Sequence, residues 1–159
     1  MKSSVKRYEY NPILTAKDVP YPSTLVFNPG VIRHKGMYYM LFRNDYLLSP
    51  DNKTRFGTNL GLAYSKDGIN WKVDEKPRTI VCDEPVKRAY DPRLHVIDGE
   101  VYVCFATDSE HGVRGGIART EDFENFEVIS LSIPDNRNMV LFPEKIDGKY
   151  ARLERPFTV

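Results

Sequence analysis

The sequence predicts an all-β fold built from repeated four-stranded units, because two sequence phrases alternate along the chain. The first phrase is a hairpin with copies at residues 31–43, 93–105 and 140–155. The second phrase lies between those copies, at residues 61–73 and 116–128. Four-stranded units with a period of about 40 to 50 residues are typical of β-propeller blades. The chain is therefore predicted to cover about two and a half blades.

A polar residue followed by glycine separates two apolar runs in every copy of the first phrase. Glycine accepts the positive φ of a tight hairpin turn, so this pattern is a strong hairpin signal. Aromatic and β-branched residues crowd the strands that follow, as at residues 38–42 and 101–105. The predicted turns are Lys35-Gly36, Asp98-Gly99 and Asp147-Gly148.

The second phrase reads glycine, an apolar residue, alanine, then serine or threonine, an acidic turn, an aromatic residue and a closing valine. Its aromatic residues, Trp71 and Phe126, are expected to be blade-core residues rather than sugar-binding platforms. Polar segments at residues 44–59, 74–92 and 108–115 are predicted to be long connecting loops, which often carry function.

We interpret residues 1–159 as a single partial propeller. Residues 1–23 form an N-terminal arm, and the blade regions cover about residues 24–88, 89–133 and an incomplete 134–159.

The composition fits a soluble globular protein of 159 residues, with 41% hydrophobic residues, 28% charged residues and a net charge of +1. This balance argues against nucleic-acid or anionic-membrane partners. No apolar run reaches the ~18 residues of a membrane-spanning helix, and no apolar segment follows the basic N-terminus. We therefore expect a cytoplasmic location, with Cys82 and Cys104 as thiols rather than a disulfide. The spacing of histidines and cysteines shows no metal motif.

Polar side chains occupy matched positions just before the three hairpins. Asn28 precedes the first, Asp91 the second, and Arg137 and Asn138 the third. Equivalent strands of successive blades face the central channel of a propeller, so these groups are expected to converge on one site.

Four phrases around these positions resemble glycoside hydrolase family 130. They are Phe27-Asn-Pro-Gly, Tyr90-Asp-Pro-Arg, Asn136-Arg-Asn-Met-Val-Leu-Phe-Pro-Glu-Lys145 and Leu153-Glu-Arg-Pro156. Members of that family are five-bladed β-propellers that act on β-mannosides, mostly as inverting phosphorylases. The resemblance extends from about residue 11 to residue 157.

The resemblance implies a role for each matched residue. Asp91 matches the catalytic acid, which is thought to relay its proton through the 3-hydroxyl of the mannose. Arg137, Asn138 and Arg155 match residues that hold phosphate, whereas Asn28 and Arg43 match residues that bind mannose. The implied reaction converts a β-mannoside and phosphate to α-mannose 1-phosphate and a shortened sugar. Inorganic phosphate is then a co-substrate, and neither a cofactor nor a metal is implied.

The residue types suit phosphorolysis. An inverting hydrolase needs an acid and a base about 6.5–9.5 Å apart. Phosphate is already an anionic nucleophile, so phosphorolysis needs the acid together with a cationic cradle, which arginine provides.

Other interpretations remain open for each residue. Asp91, which precedes a proline, could simply open a turn, and Arg137 could lie in a solvated loop. Arg155 could pair with a carboxylate such as Glu154, and Arg43 could stack on tyrosines. At the level of function, the alternatives are a β-mannoside hydrolase of the same family and a non-catalytic sugar-binding propeller fragment.

Members of the family are roughly twice as long as this chain, which stops within its third predicted blade. We expect an incomplete gene product or a fragment of a larger polypeptide, in preference to a chain that pairs with itself or with a completing second half. An open propeller leaves strand edges unpaired, so efficient turnover by this piece alone is not expected.

Overall fold

A computed structural model describes residues 5–49, 51, 56–82 and 86–157 as antiparallel sheets joined by turns. The first sheet contains β1 (Leu25–His34), β2 (Met37–Leu47), β3 (Phe56–Ser65) and β4 (Lys72–Val73), in that order. The second contains β5 (Val86–Ile97), β6 (Glu100–Ser109), β7 (Gly112–Thr120) and β8 (Glu127–Leu131), and a third pairs β9 (Val140–Leu141) with β10 (Arg152–Leu153). Two sheets of four strands in chain order, followed by the start of a third, confirm the predicted all-β blades.

The predicted glycine turns are confirmed at all three hairpins. Both central residues of each turn have a positive φ, as in Asp98 (53°) and Gly99 (84°) between β5 and β6. This is the type I′ geometry, whose twist matches that of the flanking strands. The third turn is closed by a bridge between Ile146 and Lys149.

Both copies of the second phrase contain the same turn, in which an aspartate side chain accepts backbone hydrogen bonds. The Asp67 carboxylate accepts the backbone N–H groups of Ile69 and Asn70, at 2.8 Å each. Asp122 does the same in the second sheet, where it also accepts the Asn125 side chain at 2.8 Å. The backbone bond from Asn125 is the main cause that lowers the pKa of Asp122 to about 2. Repetition of this detail supports the internal repeat inferred from the sequence.

The core lies between the sheets rather than within one of them. One apolar cluster joins the first sheet to the second, through residues such as Leu41, Leu62, Val103 and Phe105. A second cluster joins the second sheet to the third, and a third packs the N-terminal arm on the first sheet. Trp71 and Phe126 pack against these clusters, as expected for blade-core aromatics.

The inner strands β1 and β5 run past each other at close range. A Cβ atom on Gly30 of β1 would lie 2.8 Å from the backbone nitrogen of Leu94 and 2.9 Å from the carbonyl oxygen of Pro92. Only glycine fits without a backbone shift, because real Cβ atoms do not approach backbone atoms this closely. Gly30 therefore sets the distance between the two blades at the channel.

The predicted loops at residues 44–59 and 108–115 are shorter than expected, because β2 continues to Leu47, β3 begins at Phe56, β6 continues to Ser109 and β7 begins at Gly112. Residues 50, 52–55 and 83–85 of the predicted loops lie outside the described residues. Asn44 and Asn59 face each other in the β2–β3 ladder, and Asp108 pairs with Val113 in the β6–β7 ladder. The predicted loop at residues 74–92 also gives way to strand from Val86 onward. Polar residues extend these strands because their side chains bond one another, as in the 2.9 Å bond from Asn44 to Asn59.

No helix in the described part of the chain is long and apolar enough to cross a membrane.

Candidate functional site

Two matched β-bulges carry Asn28 and Asp91. The β1–β2 register skips between Phe27 and Gly30, and the β5–β6 register skips between Tyr90 and Arg93. Asn28 and Asp91 have φ values of 49° and 54°. Residues other than glycine rarely adopt this backbone conformation, and Asn and Asp tolerate it best among them. A bulge re-aims the side chain at its apex, so the same distortion in both strands turns these two groups toward each other.

The amide of Asn28 holds the Asp91 carboxylate directly. Asn28 Nδ2 donates a hydrogen bond of 2.9 Å to Asp91 Oδ1. The Arg93 guanidinium reinforces the contact between the strands by donating to the Asn28 carbonyl oxygen at 3.3 Å. Asp91 is thus not an isolated turn residue, because its carboxylate is fixed by a residue of the neighbouring blade.

Arg43 lies opposite the first bulge, on β2, and contacts the same carboxylate. Its Nη1 is 3.5 Å from Asp91 Oδ1, while Nε and Nη2 bind Asp45 at 3.0 and 2.7 Å. Its guanidinium also stacks on the rings of Phe27 and Tyr90, at 4.6 and 4.9 Å from their centroids. Burial alone would lower the pKa of Arg43, but the hydrogen bonds and charges of Asp45 and Asp91 raise it overall. The stacking interpretation and the binding interpretation of Arg43 are therefore compatible.

Tyr90 lies between the Arg43 side of the cluster and Arg137. Burial raises the pKa of the Tyr90 phenol, the hydrogen bond to Asp108 raises it further, and the nearby cations Arg88 and Arg137 act in the opposite direction. The Arg137 guanidinium also lies 5.2 Å from the ring centroid of Phe157. Arg137 is thus half-buried and packed on an aromatic ring, in contrast to the solvated loop considered above.

Two polar atoms of this segment are buried without a partner among the described residues. They are Arg137 Nε and Asn138 Oδ1. Asn138 has a φ of 57°, close to the values of Asn28 and Asp91. Buried polar atoms are nearly always bonded, so an unpaired donor and an unpaired acceptor on adjacent residues are unusual.

Arg155 is near this segment, but its side chain is exposed. Its backbone N–H donates to Asn136 Oδ1 at 3.1 Å, which holds residues 154–157 against residues 135–138. The carboxylate of Glu154 pairs with Arg152 at 2.6 Å rather than with Arg155. No contact brings the Arg155 guanidinium to Arg137 or Asn138 in the described part of the chain.

The structure therefore brings Asn28, Arg43 and Asp91 together through hydrogen bonds. No hydrogen bond among the described residues joins Arg137, Asn138 or the Arg155 side chain to those three residues. Sequence reasoning missed the supporting residues Asp45, Arg88, Tyr90 and Asp108. The sequence does carry a signal for these residues. Arg43 and Asp45 are two residues apart, as are Arg88 and Tyr90, and residues two apart in a β-strand lie on the same face of the sheet.

Comparisons with known proteins identify the family of the chain. The family model described as beta-1,4-mannooligosaccharide phosphorylase, glycoside hydrolase family 130, matches residues 3–159. A beta-1,4-mannooligosaccharide phosphorylase of Ruminococcus albus is 33% identical over 98% of this chain, and a 4-O-beta-D-mannosyl-D-glucose phosphorylase of Bacteroides fragilis is 35% identical over 93%.

A solved structure of a relative shows the same fold. The beta-1,2-mannobiose phosphorylase of Listeria innocua, in complex with beta-1,2-mannobiose, superposes with a TM-score of 0.79 at 26% identity. The match covers 96% of this chain and 58% of that structure. The chain thus has the fold of part of a five-bladed β-propeller.

The chain spans about half the length of the curated relatives it matches, with 47% of the Ruminococcus albus protein and 40% of the Bacteroides fragilis protein covered.

Proposed function

This chain belongs to glycoside hydrolase family 130, and from that premise we propose that it carries the acid and part of the phosphate cradle of a β-mannoside phosphorylase. The reaction is inverting phosphorolysis, which yields α-mannose 1-phosphate and a shortened sugar. The observation that carries the proposal is the arrangement of Asp91, whose carboxylate is held by Asn28 and Arg43 where the first two blades meet.

Asp91 is the general acid in this proposal. Both of its hydrogen bonds, from Asn28 and from Arg43, end on Oδ1. A protonated carboxyl group has one O–H donor, and Oδ2 is the oxygen that these two donors leave for the proton. The proton passes from Oδ2 through a sugar hydroxyl to the glycosidic oxygen as the bond to the anomeric carbon breaks.

Arg137 and Asn138 form the phosphate side. A phosphate oxygen forms the new bond to the anomeric carbon from the face opposite the leaving sugar. The Arg137 guanidinium supplies N–H donors to that anion. Asn138 Oδ1 can accept a hydrogen bond from the O–H group of a hydrogen phosphate. Arg155 adds a second cation once its exposed side chain turns toward the anion.

The state of the neighbouring carboxylates favours phosphorolysis over hydrolysis. An inverting hydrolase needs a second free carboxylate to activate water. Asp45 is bound by both arms of Arg43 and by Thr58 at 2.7 Å, and Asp108 is paired with Arg88 at 2.6 Å. Both carboxylates are occupied by these partners, so neither is free to bind and activate a water molecule.

A cytoplasmic location and a completing partner belong to the same proposal. Free thiols at Cys82 and Cys104 suit a reducing compartment. Exposed apolar side chains on the third sheet and near it, such as Val140 and Leu153, suit further protein, supplied either by a second copy or by a completing half of the propeller.

The test is release of mannose 1-phosphate from a panel of β-mannosides, with and without inorganic phosphate. Slow, phosphate-dependent release of mannose 1-phosphate is the expected result, because the chain spans only about half the length of its relatives. Absence of any product would show that the remaining part of the propeller is essential for turnover. Free mannose produced without phosphate would instead establish a hydrolase. Mannoside binding without either product would establish a sugar-binding module.

A further inference from the structure

The two β-bulges at the channel leave backbone carbonyl groups outside the strand ladders. Asn28 and Pro29 have no partner in the β1–β2 ladder, and Asp91 and Pro92 have none in the β5–β6 ladder. Proline has no N–H group to donate, so neither bulge can rebuild a regular ladder around its apex. Carbonyl groups that lose their ladder partners need a donor from elsewhere. The conformation of both bulges therefore depends on groups outside the ladders.

Arg93 supplies such a donor to both bulges. Its Nη1 donates to the carbonyl oxygen of Pro92 at 2.8 Å and to that of Asn28 at 3.3 Å. This nitrogen carries two hydrogens, so it can serve both oxygens at once. The base of the side chain is itself fixed, because Arg93 resumes the ladder after the bulge by pairing with Cys104. One side chain thus bridges the two inner strands.

The backbone segment that Arg93 holds also carries the amide that binds Asp91. Asn28 Nδ2 donates to Asp91 Oδ1 at 2.9 Å, whereas the contact from Arg43 Nη1 is 3.5 Å long. Asn28 is exposed, so packing contributes little to the direction of its side chain. That direction then follows from the backbone at Asn28, which has a φ of 49° and whose carbonyl oxygen is bound by Arg93.

We propose that Arg93 is a positioning residue for the acid: by bridging the carbonyl oxygens of Asn28 and Pro92, it holds Asn28 in the backbone conformation from which its amide binds Asp91. This inference rests on the proposed function only in treating Asp91 as the acid. An arginine that served general stability alone would lower the melting temperature when removed, and the contact between Asn28 and Asp91 would stay unchanged.

The experiment measures, by NMR on the full isotope-labelled chain, how fast the side-chain amide of Asn28 exchanges its hydrogens with water. Asp91→Gly gives the rate of the unbound amide, because glycine keeps the positive φ and removes the carboxylate. Arg93→Ala is expected to raise the rate about tenfold, toward the value in Asp91→Gly, because the amide loses its acceptor. Arg93→Lys should give a smaller rise, since its Nζ keeps three donors on a shorter side chain.

Arg33→Ala is the matched control. Arg33 is an exposed arginine of β1, and its guanidinium lies 5.7 Å from the ring centroid of Tyr38. Its loss removes the same charge from one of the two bridged strands and should leave the Asn28 exchange rate unchanged. An Asn28 rate that keeps its original value in every folded variant of Arg93 would overturn this inference and leave the proposed function standing.

Release of mannose 1-phosphate gives a second readout for the same variants. Arg93→Ala should lower the release rate about tenfold, because a small displacement of a catalytic group is costly. Full release by Arg93→Ala would overturn the positioning role. The exchange measurement needs no turnover, so a chain that releases no product would count against the proposed function alone, and the Asn28 rates would still decide the inference.

Discussion

Asp91 and Asn28 share an unusual backbone state, and each precedes a proline. Both have a positive φ, and the residue before proline is further restricted by contact with the proline ring. Such conformations persist only where surrounding contacts hold them, and they concentrate at functional sites. The bond between the two side chains and the adjacent ladders supplies that support here.

Asp91→Asn should abolish turnover while leaving the fold intact. Asparagine tolerates the same positive φ, so the bulge should persist, whereas the amide cannot act as an acid. We expect mannose 1-phosphate release to fall by about 10² to 10⁴-fold, the usual contribution of a general acid, and mannose binding to change by less than about threefold. Asp98→Asn is the control, because Asp98 also has a positive φ (53°) in the same hairpin but lies at the exposed turn. Full activity in Asp91→Asn would remove it as the acid.

The principal polar residues of the site could be selected from the sequence, because Asn28, Asp91 and Asn138 stand at equivalent places in a repeat. Their supporting residues could not be selected in the same way. Tyr90 and Asp108 look like an ordinary strand aromatic and an ordinary loop acid until the pairing of β5 with β6 brings them together. The orientation of Arg155 was also beyond the sequence, since it depends on contacts made by a long side chain at the surface.

At the scale of the element, the hairpins of the first phrase are the repeated unit. Their turns follow from short-range chemistry, since a polar residue and glycine suit a type I′ turn whatever surrounds them. The lengths of the strands do not follow from short-range chemistry. Polar residues at the ends of β2 and β6 suggested loops, but they continue the ladders by bonding to each other across strands. Where a site lies inside a sheet, polarity is a poor guide to where the strands end.

Gly30→Ala should weaken the contact between β1 and β5. The added Cβ meets backbone atoms of Pro92 and Leu94, which cannot rotate away, so we expect a loss of about 1–3 kcal/mol in the free energy of unfolding. Urea denaturation measures this loss. Val31→Ala, at an exposed position of the same strand, should cost less than about 1 kcal/mol. Equal stability of the two variants would show that β1 and β5 are not in close contact at Gly30 in solution.

The side-chain turn at Asp122 should make stability depend on pH in the acid range. Its pKa is about 2 in the folded chain, against a usual value of 3.8, so the folded state favours the ionised carboxylate. The stabilising effect is therefore complete above the unfolded pKa and is lost as the pH falls from about 4 to about 2. Asp122→Asn removes the ionisation, so the difference in Tm between the unmodified chain and the variant should narrow over that interval. A constant difference from pH 6 to pH 2 would contradict the assignment.

At the scale of the whole molecule, stability depends on contacts between blades. The apolar cluster shared by the first two sheets includes fully buried side chains from both, such as Leu41 and Val103. A four-stranded sheet alone has no second layer to cover its face, so each blade needs its neighbour. The two complete sheets are therefore expected to unfold together.

Phe105→Ala tests this cooperativity with the single tryptophan of the chain. Phe105 belongs to β6 of the second sheet and is 1% exposed, so its truncation should cost about 3–5 kcal/mol. Trp71 packs against the first sheet and reports on that blade alone. We expect the midpoint followed by Trp71 fluorescence to fall together with the midpoint followed by circular dichroism. Ile129→Ala, at a half-exposed position of β8, is the control. An unchanged fluorescence midpoint in Phe105→Ala would mean that the blades unfold separately.

The hydrogen bond from Asn28 to Asp91 crosses from one blade to the next. Its length of 2.9 Å therefore depends on the angle between the blades as well as on the conformation of either strand. A rotation that opened the curve of the propeller would pull the amide away from Oδ1 before it disturbed the buried apolar cluster. The placement of the Asp91 carboxylate therefore depends on the curvature of the ring, and an addition or loss of protein that changed this curvature would alter the contact between Asn28 and Asp91.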